Sequence, residues 1–311
     1  MTVPLFTSVP PLRSDASRDS SLAVDTQKAL VETWRAAGFA PFSINSAVEH
    51  ERHPGLRKWI TSLGVQAMVV ERPASLAFGG GSQQPGLLCT LPELLAAIQG
   101  MQPTGAVAII NADIGMSAGV TAQGISAAAE ATGYVIGQRL DVVTRPGSGT
   151  RSVQTMDVNG IDFVAFRPES VPGLKGLLPV GLRFGMPWWD HYLPLSLLAL
   201  GCRPQLLRVG SLWHVRHAPQ WSLDRYTRDG LTFASEFAER LQSLPQTLPV
   251  CTWLQLFRDR FQPDFARSGM DHLMRYLIQA GLAPAAVIRN RVAVLAGQNV
   301  SLLLQAAAAE Q

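Results

Sequence analysis

Over roughly the first 115 residues, short apolar runs alternate with segments of helical periodicity, and this alternation leaves the chain few architectures. Leu5 to Val9 reads as a strand closed by Pro10-Pro11. Asp25 is placed to cap a helix that carries Leu30, Trp34 and Ala37 on one face and stops at Gly38. Phe39 to Asn45 is a second strand, and GVQAMVVE, residues 64–71, a third. Thr90-Leu91-Pro92-Glu93 has the form of a capping box for a helix ending at Gly100. The apolar run AVAII from Ala106 is a fourth strand. Strands and helices taking turns across short loops predict an α/β fold with a mostly parallel sheet flanked by helices.

The polar residues of this region fall where such a fold places a ligand. Ligands of open α/β sheets lie outside the carboxyl ends of the strands. Thr7, Ser8, Asn45, Glu71, Asn111 and Asp113 all occupy those ends. The last two belong to NADI, residues 111–114, directly after the buried run. A carboxylate at the end of a buried strand is a rigidly held hard-oxygen ligand suited to Mg²⁺ or Mn²⁺ on phosphates. Its structural alternative is a cap for the turn that follows.

Composition narrows the partners. Of 311 residues 47% are hydrophobic and 16% charged, enough apolar material for a sizeable core. The net charge is only +3 and the basic residues, nearly all arginine, are scattered, so the basic stripe of a nucleic-acid binder is missing. Scattered arginines suit small anions such as phosphates. Cys89, Cys202 and Cys251 have neither disulfide nor zinc spacing. The opening MTVPLFTSVPPLRSD does not have the form of a signal peptide, and no apolar run reaches the roughly 18 residues of a membrane span. The expectation is a soluble, cytoplasmic protein.

Beyond residue 115 the pattern changes. Residues 134–143 and 160–168 read as strands, and the Gly/Ser/Thr-rich stretch 144–160 between them as a mobile surface loop. A helix begins near Pro187 and ends at Gly201, with Pro194 inside it as an expected kink. Residues 204–217 read as one strand carrying His214 and His217. From about residue 229 to 311 the chain reads as a helical C-terminal region following a domain of residues 1–228. Trp188, Trp189, Trp213 and Trp221 crowd together with His191, His214 and His217, a composition suited to stacking on a sugar or base, or to an aromatic core patch.

Five segments in order carry a resemblance: NADI, then GQRLD (137–141), GIDFVAFRP (160–168), FGMPWWDHYL (184–193) and LWHVRHAPQWS (212–222). Together they resemble the pattern of a group of GT-A-fold nucleotide-diphospho-sugar glycosyltransferase-like proteins over about residues 5 to 222. The resemblance implies a GT-A-like sheet and transfer of a sugar from a nucleoside-diphosphate sugar to an unidentified acceptor, assisted by Mn²⁺ or Mg²⁺. It implies Asp113, with His214 or His217, as metal ligands. Asn111 would contact the ribose or a metal-bound water, Arg139 and Asp162 the donor sugar or diphosphate, and Asp190 would be the general base. Thr7, Ser8 and Trp189 join them as substrate-contacting candidates. The residues also have plain structural readings: Asp190 as a helix-start charge, Arg139–Asp141 as a surface ion pair, Asp162 as a solvent-facing strand residue. The first acid of the family's DxD motif is Asn111 here. That substitution keeps open a non-catalytic nucleotide-sugar-binding protein, and a related nucleotidyltransferase is the other alternative.

Overall fold

The computed structural model describes residues 2–12, 18–71, 88–144, 151–208 and 210–215, with Glu236 and Arg240. The strands are β1 (Val3–Thr7), β2 (Phe39–Ser46), β3 (Gln66–Val70), β4 (Val107–Ile110), β5 (Ile114–Met116), β6 (Gly133–Thr144), β7 (Arg151–Phe166), β8 (Arg203–Leu206) and β9 (Leu212–Val215). The helices are α1 (Arg18–Ala36), α2 (Ala47–Arg52), α3 (Leu56–Ser62), α4 (Leu91–Met101), α5 (Ala122–Thr132), α6 (Val171–Leu177) and α7 (Trp189–Ala199).

All nine strands form one sheet, in the order β3-β2-β1-β4-β7-β6-β9-β5, with β8 also beside β6. Strands β1 to β4 are mutually parallel, and β8 and β9 are parallel to β6. Strand β7 runs against both β4 and β6, and β5 against β9. The architecture is the expected α/β one, a mixed and mostly parallel sheet flanked by helices.

Period-2 alternation sorts the strand residues between two cores. Phe6, Val107, Ile109, Val164 and Phe166 face α4, α6 and α7. Leu5, Ala108, Ile110, Phe163 and Ala165 face α1, α3 and α5. Burying a Val, Leu, Ile or Phe side chain contributes about 1.5–3 kcal/mol. Near-continuous apolar strands follow, because both faces are covered. The capping box holds as read: Thr90 N donates to Glu93 Oε2 at 2.7 Å, and Glu93 N to Thr90 Oγ1 at 3.3 Å.

Four expectations need correction. Asp25 is an exposed residue inside α1, which begins by Arg18 and so has no cap there. Thr144 and residues 151–160 are strand rather than mobile loop, because β6 supplies a partner from Thr144↔Arg151 onward; only 145–150 of that stretch lie outside the described residues. The single strand over 204–217 is two, β8 and β9, with Gly210 at φ 86° between them. Helices α2, α3, α5 and α6 arise where no helix was read. For α5 the signals were present: Thr121 accepts from Gly124 N, and an alanine-rich run follows. Helix α7 runs through Pro194. Of the helical region expected over 229–311, only Glu236 and Arg240 are described, both helical, so that region and the boundary at 228 lie outside the described residues. Glu236 Oε1 accepts from Val180 N and Arg240 Nη1 donates to Gly176 O, which ties this part of the chain to the end of α6. Among the described residues no helix is long and apolar enough to cross a membrane.

Gly115 in β5 lies flat under the Trp213 indole of β9, and a Cβ there would collide with the ring. Gly115→Ala is expected to destabilise the fold by about 1–3 kcal/mol, the usual cost of overpacking. Urea unfolding measures it, and a variant as stable as the parent would contradict the packing.

Candidate functional site

Strand order reverses at β1. The chain moves from β1 to β2 and β3 on one side, then returns to place β4 on the other. Helix α1 covers one face and α4 the opposite face, the topology in which open α/β sheets place a ligand outside the carboxyl ends of the strands, here β1 and β4. Thr7 ends β1 and Asn111 follows β4.

Pairing brings distant residues to Asn111. Because β7 runs antiparallel to β4, Ile110 faces Phe163 and Asn111 N donates to Asp162 O at 3.1 Å. Gly137 pairs with Phe163 but Gln138 pairs with Ile161, so Asp162 is the extra residue of a bulge. Bulges re-aim side chains and are frequent beside functional sites. Here the bulge sends the Asp162 carboxylate inward: Oδ1 accepts from Asn111 Nδ2 at 2.7 Å and from Arg139 Nη1 at 2.9 Å. Arg139 Nη1 also reaches Asp162 Oδ2 at 3.0 Å. Burial pushes Asp162 up to about 6, although Arg139 opposes the rise; Asp190 and Asp113 add to it, and the Asn111 hydrogen bond opposes it. Asp162 is thus buried, not solvent-facing as its alternation with Phe163 allowed.

Asp113 is positioned by its neighbours' backbone. Three α1 side chains hold the segment around it: Gln27 Nε2 donates to Ala112 O at 2.9 Å and Trp34 Nε1 to Ile114 O at 2.7 Å, while Thr33 Oγ1 accepts from Met116 N at 3.0 Å. Strand β5 then pairs Ile114 with His214, which brings His214 Nε2 to 3.3 Å from Asp113 Oδ2. The other ring nitrogen, Nδ1, lies 2.9 Å from Asp141 Oδ1, and Arg139 Nε is 3.3 Å from that same oxygen. Asp141 is only 8% exposed, so its pair with Arg139 is part of the site and not a surface ornament.

Asp190 stands half-buried in the first turn of α7, close enough to Asp162 to raise it. Its entry to the helix is unusual: Trp188 has φ 85° and is 1% exposed. A bulky residue in the left-handed region costs on the order of 1–3 kcal/mol, held here by the packing of the indole. Trp189 is also 1% exposed, edge-on to Phe184 with centroids 4.9 Å apart. It belongs to the core and offers no face for stacking on a sugar, which corrects its expected substrate contact. His217 and Trp221 lie outside the described residues.

A second polar cluster lines the ends of β1 and β2. Asn45 Nδ2 donates to Glu49 Oε2 at 2.9 Å, to Val9 O at 3.1 Å and to Ser8 Oγ at 3.4 Å. Ser43 Oγ donates to Asn45 Oδ1 at 2.7 Å and accepts from Val9 N at 2.9 Å. Thr7 is fully buried, and its Oγ1 has no hydrogen-bond partner among the described residues. Glu71 is exposed just beyond β3. Sequence reasoning missed Glu49, although Ser46 three residues earlier caps α2 by accepting from Glu49 N. Burial pushes Glu49 up to about 7, against hydrogen bonds to its carboxylate from the Asn45 side chain and the Ser46 backbone N–H.

Among the described residues no three His, Cys, Asp or Glu side chains converge on a point that could hold a metal ion. Asp113 and His214 offer one carboxylate oxygen and one imidazole nitrogen side by side. The carboxylate suits a hard ion such as Mg²⁺ or Mn²⁺, which is commonly held by one or two carboxylates and completes its shell from water and phosphate, whereas the imidazole is a softer ligand.

Neither a protein-family model nor a curated protein matches the sequence. Similar solved structures include a candidate nucleotide-diphospho-sugar transferase from Desulfovibrio desulfuricans G20, at 11% identity and TM-score 0.40 over 90% of this chain and 99% of that one. A candidate glucose-1-phosphate thymidylyltransferase from Bacillus anthracis, in complex with sucrose, has 12% identity and TM-score 0.40 over 73% and 94%. A UDP-glucose pyrophosphorylase complexed with UDP-glucose has 10% identity and TM-score 0.32 over 58% and 81%.

Glu49 makes stability depend on pH. Its folded value of about 7 lies above the ordinary 4.5, so between these limits the folded state keeps a proton that the unfolded state has released. Stability from this group is full below about 4.5 and falls as pH rises through about 7, by at most about 1.4 kcal/mol per unit. Glu49→Gln keeps an acceptor for Asn45 and removes the slope. Its stability relative to the parent, from urea unfolding, is expected to be higher at pH 8 than at pH 5; an equal difference at both contradicts the assignment.

Proposed function

We propose that the chain transfers a sugar from a nucleoside-diphosphate sugar to an acceptor hydroxyl on a GT-A-like fold. The observation that carries this reading is convergence. Residues from four of the five segments that resemble the motifs of that enzyme group, Asn111 with Asp113, Arg139 with Asp141, Asp162 and His214, form one connected set of hydrogen bonds and ion pairs, and the charge of Asp190, from the remaining segment, is felt at Asp162.

In this reading the nucleoside diphosphate lies across the ends of β1 and β4. Asn111 gives its amide nitrogen to Asp162, which leaves its carbonyl oxygen to accept from a ribose hydroxyl or a metal-bound water. Arg139 is spanned by Asp162 and Asp141, so its charge balances the buried carboxylates before it acts on the donor. Asp141 and Asp162 pair with this guanidinium, and the charges of Asp113 and Asp190 are felt at Asp162, so a further cation would help a diphosphate to approach. Asp113 and His214 would hold Mn²⁺ or Mg²⁺, with His217 as a further candidate. When bound, the ion would neutralise charge building on the departing diphosphate. Asp190 accepts the proton of the acceptor hydroxyl as its oxygen bonds to the anomeric carbon, while the bond from that carbon to the diphosphate breaks.

A thermal-shift series of nucleoside diphosphates and their sugars, with and without Mn²⁺, tests the reading. A ligand at 100 times its Kd stabilises by about 2.7 kcal/mol. No shift with any of them would sink it. Asp113→Ala is expected to remove the Mn²⁺-dependent part of nucleoside-diphosphate binding while the protein stays folded; calorimetry showing unchanged affinity would remove Asp113 from the metal site. Asp190→Asn is expected to lower turnover by about 10²- to 10⁴-fold with donor binding kept. Full turnover would reduce Asp190 to a helix-start residue, and lost donor binding would move it to the donor site.

A further inference from the structure

We propose that Glu236 and Arg240 are positioning residues of the site: as one pair they grip the main chain at Gly176 and Val180 and thereby set the connection that delivers Asp190. What Asp190 does once it is placed rests on the function proposed above.

The grip comes from matched spacing. Glu236 and Arg240 are both helical and stand one turn apart, and Arg240 Nη2 donates to Glu236 Oε1 at 2.8 Å. Gly176 and Val180 are likewise four residues apart, and the two segments meet in opposite directions. Arg240 Nη1 donates to Gly176 O at 3.0 Å, and Glu236 Oε1 accepts from Val180 N at 2.9 Å. Gly176 lies in the last turn of α6, where carbonyls lack a partner within the helix and a cation is favourable. Both contacts are made to main chain, so they fix the path of the connection and not merely the packing of a side chain.

What is gripped leads to Asp190. Past Val180 the chain is tied to the start of α4, where Leu91 N donates to Leu182 O at 2.7 Å and Phe184 N to Cys89 O at 3.0 Å. Phe184 then packs edge-on against Trp189, and Tyr192 N donates to Trp188 O at 2.9 Å in the first turn of α7. That turn feels the pair directly as well. Burial holds the Tyr192 hydroxyl far above its ordinary range, and the charge of Glu236 adds to the effect. Glu236 therefore acts on both ends of the connection, at Val180 where it leaves α6 and at Tyr192 where it has entered α7. A plain helix cap would touch only the first.

Hydrogen exchange on the full chain, followed peptide by peptide, tests the grip. In Arg240→Ala, exchange across residues 178–193 is expected to quicken about ten-fold, the lower end for losing a hydrogen bond to a charged group, with β1, β2 and β4 unchanged. The indole N–H resonance of Trp189, identified by its absence in Trp189→Phe, is expected to shift in the same variant, while those of Trp34 and Trp213 on the opposite face stay. Arg240→Lys keeps the charge and a donor for Gly176 O, and is expected to bring both readouts back toward the parent. Glu236→Ala, which leaves Val180 N without this acceptor, is expected to reproduce the Arg240→Ala pattern and serves if that variant folds poorly. Unchanged exchange over 178–193, equal quickening throughout the chain, a Trp189 resonance that does not move, or no recovery with lysine overturns the positioning role. All of these are read without a nucleotide, so they decide the inference whether or not the thermal-shift series finds a ligand; a series without any shift would remove only the chemistry of Asp190.

Discussion

The hydrogen bond from Asn111 N to Asp162 O is the contact from which the polar cluster is built. It is the last rung between β4 and β7, made where a parallel half-sheet meets a strand running the other way. That rung brings a residue 51 positions away to the end of β4, and the side-chain bond between Asn111 and Asp162 follows from it. Had β7 run parallel to β4, the residue opposite Asn111 would lie beyond the apolar run of β7. The bulge then supplies what pairing alone does not, a carboxylate directed inward.

Charge follows from that geometry. Buried carboxylates are costly unless they are hydrogen-bonded or paired. Asp162 is held by Asn111 and Arg139, and Asp141 by His214 and Arg139, so a single guanidinium serves two acids on neighbouring strands. The raised value of Asp162 shows that this compensation is partial. Asp113, with its side chain 44% exposed, is more open to solvent than either of these acids.

How much of this was legible in the sequence depended on how local each signal was. Strands β1 to β4 and the cap of α4 were readable, because apolar runs and Thr90-Leu91-Pro92-Glu93 state their structure within a few residues. The length of β7 was not: residues 151–160 look like loop by their neighbours' composition and become strand because β6 lies beside them. The division of 204–217 turned on one glycine, Gly210, that adopts φ 86° only in context. Most of the residues of the site could be nominated from motif order, but their environments could not. Asp141 looked like half of a surface pair until β9 covered it, and Asp162 like a solvent-facing residue until the bulge turned it inward. Trp189 had the composition of a stacking platform, yet α7 packs it against Phe184. Glu49 was overlooked because its burial depends on how β1, β2 and α2 meet.

Trp188 carries a consequence for how this chain can vary. Its backbone sits where glycine is at ease, while its indole fills space that no small residue fills. Glycine there would relax the main chain and empty the core; most other L-residues would keep the strain and pack less well. The position is therefore caught between two demands that no second residue type meets together. Asp190, two residues on, takes its heading from a side chain sealed away from solvent, so the entry to α7 tolerates change less than the exposure of Asp190 itself would imply.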